Sequence, residues 1–240
     1  MLLVLRCFRK SSLLKTVLEP RECIPPCTFA EILRIVCRMT KGKAGDPSGN
    51  IAEMFLHGED AMISYLVYFF NLVIETGEIP SSWKKSCFVL LHKGGTTEDP
   101  NNWRPIAILS IIYKIFGKLI LSRIKPILDS KQADEQFGFQ DKKSTSDALI
   151  IMESMVSRCI DGNIDLWVIS VDLRKAFDRV EYGPLFDGLK KHGLSNSYVQ
   201  ILREIYSGQT GMVNDSISFP INRGVRQGDI LSPILFNSAL

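Results

Sequence analysis

Apolar positions fall at helical spacing over much of the chain and give way at a few points to short apolar runs, which predicts a mixture of helices and strands. Phe29, Ile32, Leu33, Ile35 and Val36 lie on one side of a helix that Thr28 can cap and that reaches Met39. Residues 51–56 and 60–75 read as two further helices, the second strongly apolar and closed by Gly77. The runs at 87–92 and 103–109 flank a polar loop and predict a β-hairpin, with Lys93 and Arg104 near the facing ends of its strands. A helix over 111–128 carries the stripe Ile112, Ile115, Phe116, Leu119 and Ile120, leaving Lys114, Lys118 and Arg123 outside. Ser144 opens a helix reaching Ile160. Residues 166–171 are then a short, β-branched run bounded by the Gly162-Asn163 turn, which predicts a buried strand. Helices near 183–192 and 196–206, a hairpin across 211–222 and an apolar helix to Leu240 complete the set. Helices and antiparallel strands without a strand–helix–strand rhythm define the α+β class.

Asp172 closes the 166–171 run, and the rest of the chain is expected to be arranged around it. A carboxylate at the end of a buried strand needs a partner, because an unpaired buried charge is too costly. It either caps the next helix or binds a metal. Phe177 stands five residues further on, and Asp178 follows it.

Composition narrows the classes without choosing one. A chain of 240 residues, 45% hydrophobic and 23% charged, can bury a core as one large domain or two small ones. A net charge of +3 does not mark a nucleic-acid binder. Its distribution is more telling: residues 81–125 hold eight Lys and Arg against Glu98 and Asp99, whereas 51–80 hold five acids and neither Lys nor Arg. The cysteines follow no disulfide framework, and Cys23, Cys27, Cys37 and His57 are poorly spaced for zinc. Arg6, Arg9 and Lys10 interrupt the apolar start, which argues against a signal peptide, and the apolar stretch 61–74 is too short to cross a bilayer. The expectation is an intracellular chain, nuclear and cytoplasmic rather than secreted, with no membrane partner. The Gly-rich loop 41–50 lacks the spacing of a phosphate-binding P-loop, and Ser12-Leu-Leu-Lys15 matches a hydrolase pattern whose companion motifs are absent.

Two blocks carry a resemblance. Ser170-Val-Asp-Leu-Arg-Lys-Ala-Phe-Asp178 resembles the first palm motif of reverse transcriptases of non-LTR, LINE-like retrotransposons. Arg223-Gly-Val-Arg-Gln-Gly-Asp-Ile-Leu-Ser-Pro-Ile-Leu-Phe-Asn237 is similar to the next palm motif of that family. The likeness spans roughly residues 40–240. It implies a right-hand polymerase layout: a poorly defined N-terminal segment and first helix (1–40), fingers (41–160) and a partial palm (161–240). It implies RNA-directed DNA polymerisation on an RNA template and a DNA primer with dNTPs, and an endonuclease domain elsewhere in the full element. Phosphoryl transfer of this kind uses Mg2+ or Mn2+, clamping the attacking and leaving oxygens.

By the same resemblance, Asp172 is a metal ligand and catalytic residue, with the Leu173 carbonyl as auxiliary ligand. Phe177 lies under the incoming sugar, where a ring excludes a ribose 2′-OH; the plainer reading is a core phenylalanine. Gln227 and Gly228 face the nascent base pair, or simply start a helix. Lys93 and Arg104 neutralise the triphosphate, although loop lysines are commonly just solvated. Phe137 and Phe139 either stack on template bases or pack within the fingers. Arg223 and Arg226 contact backbone phosphate or pair with Asp229. Ile230 departs from the family pattern, where proline is common. The adjacent aspartates of a later palm hairpin do not occur in these 240 residues. The chain by itself is therefore expected to be inactive and to expose apolar surface over 230–240. The alternative is a non-catalytic retroelement remnant that binds RNA or a protein partner.

Overall fold

In the computed structural model, which describes residues 23–213 and 217–240, Thr28 heads the first helix, α1 (Phe29–Cys37), through a reciprocal capping box. Its hydroxyl accepts from the Glu31 amide while the Glu31 carboxylate accepts from the Thr28 amide. Residues 1–22, with Cys7 and the Ser12–Lys15 run, lie outside the described residues. Helices α2 (Ala52–Leu56) and α3 (Glu59–Thr76) follow, the latter ending at Gly77 as expected. Strands β1 (Lys85–His92) and β2 (Trp103–Ile108) form the predicted hairpin, with Leu91 opposite Arg104.

The hub of the core is α4 (Ile111–Asp129). Tyr113, Ile115, Phe116, Leu119, Ile120, Ile124 and Leu128 are all fully buried, so α4 is enclosed over much more than one stripe. Phe70 of α3 and Trp83 both pack on Phe116, at ring separations of 5.3 and 5.1 Å. Arg123 of α4 pairs with Glu31 of α1 at 3.1 Å, which ties the first helix to the hub. The loop before α2 is tied to it as well, because the Asp46 carboxylate accepts from the Ile111 amide at 2.9 Å. Burial alone would raise the Asp46 pKa, but that bond and those from Asn50 and Ser48 outweigh it and hold the carboxyl below its ordinary range.

The second half of the chain adds α5 (Thr145–Asp161), the one-turn α6 (Ala176–Arg179), α7 (Tyr182–Lys191), α8 (Asn196–Tyr206), the hairpin β3 (Gln209–Val213) and β4 (Ile217–Ile221), and α9 (Ser232–Ala239). The sheet runs β2-β1-β3-β4. Its central pair, β1 with β3, is parallel, and it joins the two halves of the sequence in a way that no local pattern announces. Both edge strands carry a proline, Pro105 on β2 and Pro220 on β4, which cannot donate to a further strand. At Gly211 the stacked rings of Phe88 and Phe219 approach so closely that a Cβ would lie 2.7 and 2.5 Å from them.

Two expectations are corrected. Residues 166–171 have no regular secondary structure and pair with no strand among the described residues, and they are exposed, Trp167 at 90% and Ile169 at 87%. A run that is apolar on both faces needs layers on both faces. Here β1 is already flanked on both sides, and each outer strand carries a proline. Residues 230–240, expected to be exposed, are instead largely buried: Leu231, Ile234 and Leu235 sit within the core, with α9 packed on α7 and α4. Exposed apolar residues are concentrated on α5, which has no buried residue, and on the irregular segment after it.

Candidate nucleotide-binding site

Around residues 223–231 the chain turns sharply, and the turn is anchored by two side chains three residues apart, Arg226 and Asp229. Arg226 is buried. Its Nη1 donates to the Trp83 carbonyl at 3.0 Å, and its Nη2 donates to the Tyr113 hydroxyl at 2.9 Å and pairs with Asp229 at 3.1 Å. Tyr113 in turn donates to the same Asp229 carboxylate at 2.6 Å, and Asp229 accepts from the Leu231 amide at the entrance to α9. The guanidinium lies over the Tyr113 and Tyr206 rings at 4.8 and 5.5 Å. Burial disfavours charge on Arg226, yet Tyr113, Asp229 and Tyr206 outweigh it and push its pKa above the ordinary range. Burial also drives the Tyr113 pKa well up, so the hydroxyl stays a donor. Of the two partners expected for Arg226, phosphate or Asp229, the structure has Asp229; a guanidinium enclosed this way has no face left for a phosphate.

Gln227 and Gly228 lie between these anchors and face outward. The Gln227 carbonyl accepts from the Ala107 amide of β2 at 2.8 Å, and its side chain donates to Asp178 of α6 at 3.3 Å. Gly228 has a φ of 101°, and a Cβ there would meet the Ala107 carbonyl at 3.0 Å, so both conformation and close approach require glycine. The Val225 amide donates to the Phe177 carbonyl at 2.8 Å. The two sequence blocks thus meet in space, and β2 meets them.

The other expected residues are placed unequally. Phe177 is half-buried, stacked on Phe236 of α9 and edge-on to Phe139. Phe137 lies under Lys143 Nζ at 5.5 Å. Lys93 and Arg104 are exposed at the loop end of the β1–β2 hairpin, where the Lys93 amide donates to the Asn102 carbonyl. Arg223 is exposed beside the turn. Asp172 and Leu173 are exposed on the unpaired segment. Tyr113, Asn237 and Phe236 were not singled out from the sequence. For Tyr113 the signal was present, since it lies one helical turn before Phe116 on the buried face. Asn237 could not be read, because it bonds to Gly138 and Gln136 across a long stretch of chain.

Among the described residues no group of three His, Cys, Asp or Glu could hold a metal ion. Asp172 offers one carboxylate with the Leu173 carbonyl beside it, and Asp178 is engaged by Gln227. These residues do not by themselves make a two-metal site. Burial pushes the Cys27 thiol up to about 11, so it stays protonated. No helix among the described residues is long and apolar enough to cross a membrane.

Residues 91–240 match the family described as reverse transcriptase (RNA-dependent DNA polymerase). The chain belongs to that family, and its type is that of non-LTR retrotransposons. It is 29% identical over 186 residues to a probable RNA-directed DNA polymerase from transposon BS of Drosophila melanogaster, covering 73% of this chain and 20% of that protein. It is 28% identical over 185 residues to the RNA-directed DNA polymerase from mobile element jockey of the same fly, covering 74% of this chain and 20% of that one. The chain therefore spans about a fifth of the length of these relatives. Among solved structures, a chain of a partial Cas6-RT-Cas1–Cas2 complex shares the fold with a TM-score of 0.50 at 20% identity, covering 87% of this chain and 32% of that chain. Reverse transcriptases act on nucleic acids and generally use divalent metals, which fits the class expected from the sequence.

Proposed function

We propose that this chain is the part of a retrotransposon RNA-directed DNA polymerase that receives the incoming dNTP opposite an RNA template. The observation that carries the reading is the meeting of three separate segments, β2, α6 and the Gln227-Gly228 turn, through the Ala107–Gln227, Phe177–Val225 and Asp178–Gln227 hydrogen bonds. In this reading Lys93 and Arg104 neutralise the triphosphate, Phe177 lies under the sugar, and Gln227 with Gly228 faces the nascent base pair. Arg223 takes a backbone phosphate, and Phe137 lines the template side. Asp172 and the Leu173 carbonyl contribute to holding Mg2+ or Mn2+ with carboxylates from outside the described residues. The DNA primer and an endonuclease domain belong to the whole element, which would act in nucleus and cytoplasm.

The test is primer extension by the complete reading frame that contains this chain, with an RNA template, a DNA primer and dNTPs. Incorporation that Asp172→Asn abolishes is the expected result, and the 240-residue chain alone should give none. A complete frame that binds RNA with a steep salt dependence but incorporates nothing would sink the polymerase reading in favour of a non-catalytic retroelement remnant.

A further inference from the structure

Phe177 cannot be held in place by its own helix. α6 is a single turn without a buried residue, and it begins from Lys175 in a left-handed conformation at φ 51°. The ring is held from outside. Phe236 of α9 lies parallel to it at 4.5 Å and 14°, and Phe139 meets it edge-on at 5.7 Å and 72°. The backbone beside Phe139 is tied down, because the buried Asn237 donates to the Gly138 carbonyl at 2.8 Å and accepts from Gln136 Nε2 at 3.0 Å. One helix, α9, thus supplies both the backing ring and the side chain that ties down the loop.

We infer that Phe236 and Phe139 are positioning residues that set sugar specificity by holding the Phe177 ring in place. The inference rests on the proposed role of Phe177 under the sugar. A ring excludes a 2′-OH only as far as it resists being pushed aside, so the discrimination resides in what stands behind it. Phe236 touches no substrate in this account.

The experiment compares ribonucleotide with deoxynucleotide incorporation in the complete polymerase frame. Phe177→Val is made first and should relax discrimination most. Phe236→Leu should raise the ribonucleotide-to-deoxynucleotide ratio of kcat/KM by about tenfold, the scale of a stacked aromatic pair, mainly through a lower KM for the ribonucleotide. Phe236→Tyr, which keeps the stack, should restore the ratio. Phe139→Leu lies on an exposed loop, keeps the fold and should act in the same direction to a smaller extent. In the 240-residue chain with 4-fluorophenylalanine at position 177, Phe236→Leu should move the fluorine resonance. Relaxation by Phe177→Val without any by Phe236→Leu or Phe139→Leu overturns the inference and leaves the role of Phe177 standing. No effect of Phe177→Val overturns both.

Discussion

The two sequence blocks that mark this family sit in opposite physical settings. Around Gln227 the chain is clamped: Arg226, Asp229, Tyr113 and Tyr206 are buried in one network, and α9 runs straight into the core. Around Asp172 it is bare: Trp167, Ile169 and Val171 are exposed, and the preceding helix α5 buries nothing. The difference does not come from hydrophobicity, since residues 166–171 are as apolar as α9. It comes from partners. The 223–237 block finds its packing within the described chain, whereas the run leading into Asp172 would need layers on both faces and finds none among the described residues.

The largest effect expected from this contrast lies at the clamp. Asp229→Ala leaves a guanidinium buried without its counter-charge and should destabilise the chain by about 3–5 kcal/mol in urea unfolding. Asp172→Asn, on the bare segment, should leave the urea midpoint unchanged. Equal losses at the two sites would break the comparison. Next comes the parallel sheet contact: Gly211→Ala forces a methyl group between Phe88 and Phe219 and should cost about 1–3 kcal/mol by the same measurement. Smaller still is the cap of α5. Ser144→Ala should weaken that helix by about 1 kcal/mol, visible as faster amide exchange in 145–161 but not in global unfolding.

Acid gives a graded check on the contacts that tie α1 and the loop before α2 to α4. Asp46 has a folded pKa below its unfolded value of about 3.9, so its stabilisation is complete above that value and is lost as pH falls through the lower folded pKa. Glu31 is shifted in the same direction: burial would raise it, but Arg123 and Thr28 outweigh that and lower it. Thermal melts from pH 6 to pH 2 should show a loss in the acid range that Asp46→Asn reduces.

Helices with one buried face, such as α1 and α8, were legible because their spacing is local, and α1 also begins at a recognisable cap, Thr28. The β1–β2 hairpin was legible for the same reason. The parallel β1–β3 pair was not, because its partners are far apart and nothing local encodes it. The 166–171 strand was misread because β-branched apolar residues report a preference for a sheet and not the presence of one. At the site, the residue types around Gln227 and Phe177 could be read from the two blocks. That Arg226 turns inward to Asp229 depended on Tyr113 and on the Trp83 carbonyl, neither of which any local pattern links to it.

The Arg226–Trp83 bond also has a consequence in time. Its partners are 143 residues apart, and Tyr113 is 113 residues from the same guanidinium. At about 5–20 residues per second of synthesis, the first half of the chain waits roughly ten seconds for the side chain that completes its core. During that interval the Tyr113 side of α4 lacks Arg226 and Asp229, its partners in the finished fold, and transiently uncovered core surface of this kind is what makes a partly made chain prone to aggregate.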